Sequence, residues 1–176
     1  MAPLGGLIGD SPALVAVRNQ VEQLLRRQAG SRRFPSVLIL GETGTGKGLL
    51  ASAIHESGPR AAGPFVAVNC AAIPDTLLEA ELFGFERGAF TDARHAKAGL
   101  FQTAHRGILF LDEIGLLPEN LQAKLLTALE EGAVRRLGST RAERVDVWII
   151  SATSEDLKAG TRRRGFVRSS TTGLRW

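Results

Sequence analysis

Cysteine occurs once, at position 70, so no internal disulfide can form and a disulfide-stapled fold is excluded. No stretch approaches the ~20 consecutive apolar residues that a membrane-spanning helix needs. No charged-then-apolar segment opens the chain as a secretory signal would, and the expectation is a cytoplasmic protein without membrane contact. The histidines, His55, His95 and His105, are scattered without metal-ligand spacing, which argues against a structural metal site. Internal repeats, low-complexity tracts and a helix-turn-helix pattern are also missing, so sequence-specific DNA binding is not expected from this chain. Acidic residues are missing from one region: from Lys158 onward there are six Lys/Arg and no Asp/Glu.

That asymmetry accounts for the formal net charge of +4, because the first 157 residues carry 16 basic against 18 acidic side chains. The 176 residues are 44% hydrophobic and 23% charged, enough for one globular domain with a real core. Ser11 and Pro12 read as an N-cap and a first-turn proline, and Leu14, Val17, Val21, Leu24 and Leu25 then recur at helical spacing as far as Arg26 and Arg27. "VLIL", ending at Gly41, suits a strand buried on both faces. "LLASAIHES" reads as helix, "FVAVN" as strand, "DTLLEAELF" as helix and "ILFLD" (108–112) as another buried strand. Pro118 and Glu119 start a helix with Leu121, Leu125, Leu126 and Leu129 on one side, and "VDVWII" (145–150) is the last strand expected. This alternation predicts an α/β fold, a mostly parallel sheet between two helical layers. Trp148 and Cys70 lie at or beside strands, where core packing explains them.

"GETGTGKG" at 41–48 sits between a strand and a helix, where a glycine-rich turn lets backbone N–H groups surround phosphate oxygens at a helix N-terminus. Gly41, Gly46 and Lys47 satisfy the spacing G-x-x-x-x-G-K, and Gly44 adds room for a tight anion nest. Gly41, Glu42, Thr43, Gly44, Thr45, Gly46, Lys47 and Gly48 are therefore the candidate ATP-binding residues, with Lys47 reaching the β- and γ-phosphates as a point charge. Position 48 is glycine where the common motif has Ser or Thr, so the hydroxyl that touches Mg²⁺ is missing. "GILFLDEIG" delivers Asp112 and Glu113 to the same sheet edge; Asp112 suits Mg²⁺, and Glu113 suits polarisation of the water that attacks the γ-phosphate. Taken alone, the same Asp-Glu pair could equally begin a solvated loop.

These motifs, with "LIGDSPAL", "PFVAVNCAAIP", "AELFGFERGAFTDA", "GLFQTAHRGILFLDEIGLLPENLQAKLLTALEEGAVRRLGS" and "VDVWIISATSEDL", resemble the AAA+ module of bacterial enhancer-binding transcriptional activators, the sigma-54 interaction domain. The resemblance covers residues 7–157 and implies a P-loop NTPase that forms a homo-oligomeric ring and remodels sigma-54 RNA polymerase holoenzyme with ATP and Mg²⁺. It implies that Lys47 binds phosphate, that Asp112 holds Mg²⁺ and that Glu113 is catalytic. It further implies that Asn69, otherwise a strand-end turn residue, restrains Glu113 between catalytic states. Thr153 and Ser154 fall where the family's γ-phosphate sensor reads Thr-Asn, so a shorter hydroxyl replaces an amide. Gly88, Ala89, Phe90, Thr91, Asp92 and Ala93 resemble the GAFTGA loop that touches sigma-54. Phe90 either offers an apolar ring to a partner or tucks back on its own domain. Asp92 in place of glycine adds charge and removes backbone freedom. Together with Gly48 and Ser154 this suggests a diverged subgroup, and the alternative reading is an ATP-binding interaction module with another partner and little or no ATPase activity.

Residues 158–176 do not resemble the family's arginine-finger segment, its last sheet strand or its helical lid. Suitable codons for "GFVRSSTTGLRW" read F-R-E-E-L-Y-H-R-L-A-V in another frame, so the tail is expected to be disordered or a frameshifted product. On that reading the fold is incomplete: the strand beside "VLIL" is missing, leaving an open apolar edge, marginal stability and little turnover. A third reading, a basic nucleic-acid-binding arm, lacks stacking aromatics and a reading element.

Overall fold

The structure is a computed structural model that describes residues 9–28 and 34–154, together with the backbone of 171–175. The domain boundary expected at residue 157 and the tail over 158–170 lie outside the described residues.

Helix α1 (Pro12–Gln28) begins where Leu14 N–H donates to the Ser11 hydroxyl at 3.3 Å, the cap that the serine-proline pair promises. The connection that follows leads into β1 (Ser36–Leu40), and the loop after it opens α2 (Lys47–Ser57). Strand β2 (Phe65–Asn69) ends in a 3₁₀ turn over Cys70–Ala72, and α3 (Asp75–Phe83) follows. A short antiparallel pair, β3 (Gly84–Phe85) and β4 (Lys97–Ala98), holds the segment that contains residues 88–93. The one-turn α4 (Leu100–Thr103) precedes β5 (Ile108–Asp112). Helix α5 (Glu119–Glu131) stops at Gly132, whose left-handed backbone (φ 61°) suits a helix end. The hairpin β6 (Ala133–Arg135) and β7 (Ala142–Arg144) then leads to β8 (Trp148–Thr153).

The main sheet has the order β2-β5-β8-β1 with a fifth strand, β9 (Thr171–Arg175), on the outer side of β1, and all its pairings are parallel. Strands β1, β5 and β8 lie inside the sheet and are buried on both faces, whereas β2 at the edge is only partly covered. One layer packs α1 and α2 through Val21, Leu24, Leu50 and Ile54 against Val37, Ile39, Ile108 and Ile150. The other packs Leu78, Leu82, Phe101, Leu121 and Leu125 against Leu38, Leu109, Leu111 and Ile149. Alternate residues of one strand thus face opposite helical layers, as the period of two requires. This is the expected three-layer α/β architecture.

Two expectations are corrected. The strand beside "VLIL" is present: Thr171–Arg175 pairs with β1 from Ser36↔Thr171 to Leu40↔Arg175, so β1 does not carry the open edge expected of it. The tail has no apolar alternation to announce this. A parallel ladder is made by backbone N–H and C=O groups that almost any residue supplies, and an unpaired edge leaves those groups unsatisfied. The other correction concerns "VDVWII": β8 starts at Trp148 and runs to Thr153. Val145 N–H donates to Gly132 C=O at 2.9 Å, and Asp146 C=O accepts from Arg106 N–H at 2.7 Å, so residues 145–147 are committed outside the sheet. The small residues Ser151, Ala152 and Thr153 carry the strand on instead, all buried.

Arg60 secures this corner. It is buried, its guanidinium pairs with the Asp146 carboxylate, and it also donates to Asp146 C=O (2.8 Å) and Gly107 C=O (3.3 Å). The Phe34 ring lies 4.7 Å from its charge centre. Such a charge is tolerated inside because every side of it is met by an acceptor or a π face. No helix among the described residues is long and apolar enough to cross a membrane.

Candidate functional site

The carboxyl ends of β1, β5, β8 and β2 gather the candidate residues along one edge of the sheet. Gly41 follows β1, and its N–H donates to Thr153 C=O on β8 at 3.4 Å. Beyond it the chain turns through left-handed Gly44 (φ 83°) and Gly46 (φ 88°), conformations that a side chain disfavours, and Gly46 starts α2. The Thr45 hydroxyl donates to Glu42 C=O at 2.8 Å and pins the turn, while Thr43 and Gly44 at its tip are exposed. The free N–H groups of the first turn of α2 therefore open onto this loop.

Lys47 is buried at 6% exposure, and its ammonium folds back to donate to the C=O groups of Gly41 (3.1 Å) and Glu42 (3.0 Å). It also lies 3.8 Å from Glu113 Oε1. Three oxygens thus compensate a cation that water barely reaches. Gly48 has space around it: a Cβ added there would meet nothing nearer than the Phe110 ring at 3.8 Å. The missing hydroxyl is therefore not excluded by packing.

Asp112 closes β5, and its Oδ1 accepts from Glu113 N–H at 3.0 Å. Glu113 adopts left-handed backbone (φ 53°, ψ 45°), uncommon for a residue with a side chain. Its Oε2 accepts from both Ser154 N–H (3.2 Å) and the Ser154 hydroxyl (2.9 Å). Thr153 is wholly buried at the end of β8. Asn69 is the register partner of Asp112 across β2 and β5, and its Oδ1 accepts from Ala71 N–H at 2.9 Å, capping the turn over Cys70–Ala72. The Cys70 thiol beside it is pushed up to about 12, first by burial and then by the Asp112 charge, so it stays neutral and packs as an apolar group.

The loop at 88–93 stands apart from this edge. Gly88 N–H donates to Ala93 C=O at 2.8 Å and Ala93 N–H to Phe90 C=O at 2.9 Å, which closes a compact turn with Ala93 buried beneath it. Phe90 is 41% exposed, and its ring leans on Phe85 with centroids 4.9 Å apart. Outside glycine, the left-handed residues of the described backbone are Arg106 and Glu113, so Asp92 sits without the strain that would demand a glycine. The loop is tied to the β6–β7 hairpin, where Glu86 N–H donates to Leu137 C=O and Leu137 N–H to Gly84 C=O, both at 2.9 Å. Arg136 reinforces the tie through Glu86 (3.4 Å) and is itself held within the hairpin by Glu143 of β7 (2.9 Å). A cleft of about 560 Å³ between α5 and this hairpin contains none of the candidate residues.

Sequence reasoning brings Lys47, Asp112 and Glu113 to one edge, and the structure has them there. It missed the bond between Ser154 and Glu113, the Arg60–Asp146 pair and β9. The first was accessible in principle, because an Asp-Glu ending one strand and a Thr-Ser ending another become neighbours once β5 and β8 are known to pair.

A parallel sheet whose inner strand runs through a left-handed glycine loop into a helix N-terminus, with an Asp-Glu pair ending a nearby strand, defines an AAA+ P-loop NTPase fold. The chain belongs to the Sigma-54 interaction domain family, whose model matches residues 7–170, past the point where the quoted motifs stop. It is 49% identical over 161 residues to a Nif-specific regulatory protein of Bradyrhizobium diazoefficiens, covering 92% of this chain and 27% of that protein. It is 51% identical over 153 residues to the response regulator protein PilR of Pseudomonas aeruginosa, covering 87% of this chain and 33% of PilR. The crystal structure of NtrX from Brucella abortus superposes with a TM-score of 0.79 at 37% identity, over 98% of this chain and 38% of that one. NtrX in complex with ATP gives 0.77 at 37% identity, over 96% and 36%. The chain thus spans about a quarter to a third of the curated relatives it matches, 27% and 33% for those two.

Proposed function

We propose that this chain is the ATP-binding part of a cytoplasmic, sigma-54-dependent transcriptional regulator. The single observation that carries the reading is the 3.8 Å pairing of Lys47 with Glu113 beside the glycine loop, a cation and a carboxylate held together at a helix N-terminus. The solved complex of NtrX with ATP supports the choice of nucleotide. On this reading the loop N–H groups and Lys47 take the phosphates, and Glu113 accepts a proton from the water that attacks the γ-phosphorus. The bond to the β-phosphate oxygen breaks, leaving ADP and inorganic phosphate. Asp112 with one carboxylate fits Mg²⁺, which binds through one or two carboxylates together with substrate phosphates, and the ion would neutralise charge on the phosphates.

The space at Gly48 makes this testable. Gly48→Ser is expected to strengthen Mg²⁺-dependent ATP binding by about three- to tenfold, the worth of one added oxygen contact of roughly 1 kcal/mol. Titration with and without Mg²⁺ checks it, and an equal gain in both series contradicts a metal contact.

Hydrolysis is proposed to drive the loop at 88–93 against sigma-54 of the polymerase holoenzyme, within a homo-oligomeric ring formed by the intact parent. Phe90→Ala is expected to weaken sigma-54 binding about tenfold in the presence of a transition-state nucleotide analogue, since burying an aromatic side chain contributes roughly 1.5–3 kcal/mol. Equal affinity of the two proteins would reject the ring contact. Nucleotide-independent binding that survives Phe90→Ala would point to a different partner surface.

A further inference from the structure

The cleft between α5 and the β6–β7 hairpin, about 560 Å³, holds none of the residues assigned to nucleotide or to the loop at 88–93. Its volume falls within the roughly 300–1,000 Å³ of small-molecule sites. Phe83, Ala128 and Val134, all buried, and half-buried Leu137 give it an apolar wall. Two of the cations that line it are already satisfied: Lys124 is held by Glu79, and Arg136 by Glu143 (2.9 Å) and Glu86 (3.4 Å), acids that do not line the cleft. Glu131 and Arg135 differ. Both are exposed on the cleft, and among the described residues neither makes an ion pair with the other or with a third group. Glu131 is also poorly placed on its own helix. The last turn of α5 carries Glu130 and Glu131 and no basic side chain, so carboxylates meet the negative end of the helix dipole.

We propose that this cleft binds a zwitterion of dipeptide size with apolar side chains, its ammonium at Glu131 and the end of α5, its carboxylate at Arg135. An ammonium gains there from both the side chain and the dipole, and the guanidinium fork matches a carboxylate in two parallel bonds. A plain organic anion satisfies Arg135 but sets a like charge near Glu131, and a plain cation does the reverse. Only a ligand with both signs meets both residues. A free amino acid carries its two charges on one residue, whereas Glu131 and Arg135 do not reach each other across the cleft. A second residue adds about 3.8 Å between the charges and another side chain for the apolar wall. The site is also placed to act on the loop at 88–93. Gly138 of the same hairpin lies so close to Ala89 that an added Cβ would come within 2.9 Å of the Ala89 Cβ, so a shift of the hairpin is passed to that loop. None of this depends on the nucleotide reading.

Matched ligands and variants test each charge separately. The full chain, labelled with nitrogen-15, is titrated with phenylalanyl-leucine, its N-acetyl form, its C-terminal amide, diglycine and free phenylalanine, while the amide signals of Thr127, Val134 and Ser139 are followed. Phenylalanyl-leucine is expected to shift these signals saturably and to carry the shift to Ala89. The N-acetyl form and the amide, each lacking one charge, are expected to bind about fivefold more weakly, and diglycine, which lacks the apolar groups, about tenfold more weakly. Glu131→Gln is expected to abolish the preference for the free ammonium over the N-acetyl form and to keep the preference for the carboxylate. Arg135→Gln is expected to do the opposite. Both side chains are exposed, so neither substitution disturbs the core. The absence of any saturable shift at these amides up to about 10 mM phenylalanyl-leucine overturns the site. Equal binding of the capped and free forms, or selectivities that survive both substitutions, overturns the zwitterion. Tighter binding of free phenylalanine than of the dipeptide overturns the dipeptide size.

Discussion

Lys47→Ala is expected to lower ATP affinity about a hundredfold, because the ammonium is the one cation seated in the loop and charge-assisted bonds to phosphate contribute roughly 1.5–3 kcal/mol each. The fold should survive. The substitution removes the bonds to Gly41 and Glu42 C=O but also the desolvated charge that required them, and Glu113 keeps both bonds from Ser154. A net loss of about 1 kcal/mol would shift the melting temperature by roughly 3 °C, small beside the effect on binding. Calorimetric titration with ATP, alongside a thermal melt of the same sample, separates the two quantities. Wild-type affinity in a folded Lys47→Ala protein would remove the loop at 41–48 from any role in nucleotide recognition.

Trp148→Ala is expected to cost about 3–5 kcal/mol of stability, enough to unfold much of a marginally stable domain. Trp148 is fully buried at the start of β8, and its ring meets Phe34 with centroids 5.1 Å apart. Its indole N–H donates to Pro35 C=O at 3.0 Å. Alanine would leave a cavity where α1, α2 and the sheet converge and an unpartnered carbonyl just before β1. Chemical denaturation followed by far-ultraviolet circular dichroism reads the change. Trp148→Phe, which fills most of the volume without the N–H, should recover more than half of it, and a loss below about 1 kcal/mol in Trp148→Ala would contradict this view of the core.

Much of the site was legible in the chain because its signals are local. Ser11 and Pro12 mark where α1 starts, and the continuous apolar runs "VLIL" and "ILFLD" mark strands buried on both faces. Gly41, Gly46 and Lys47 announce the loop by their spacing, and Gly44 and Gly46 are left-handed within it. Where local signals were absent, reading failed. Val145, Asp146 and Val147 look like strand, yet hydrogen bonds to Gly132, Arg106 and Arg60 take them out of the sheet. Asn69 offers no spacing that says its amide oxygen caps the next turn, as it does.

The alternation of strands and helices, the glycine loop with its lysine, the acidic pair that follows the apolar run of β5 and the family to which they belong are legible in the chain alone. Each depends on residues within one turn or one strand of each other, where steric rules and side-chain chemistry act without reference to the rest of the chain. The pairing of Thr171–Arg175 beside β1, the bond from Ser154 to Glu113, the capping of the turn over Cys70–Ala72 by Asn69 and the hold of Arg60 on Asp146 come from the packed molecule. Apart from the Asn69 cap, those contacts are between segments distant in sequence, and each satisfies a polar group that burial or strand pairing would otherwise leave unmatched. Which of several chemically able partners meets it is set by the order of strands in the sheet, and that order is a property of the packed molecule.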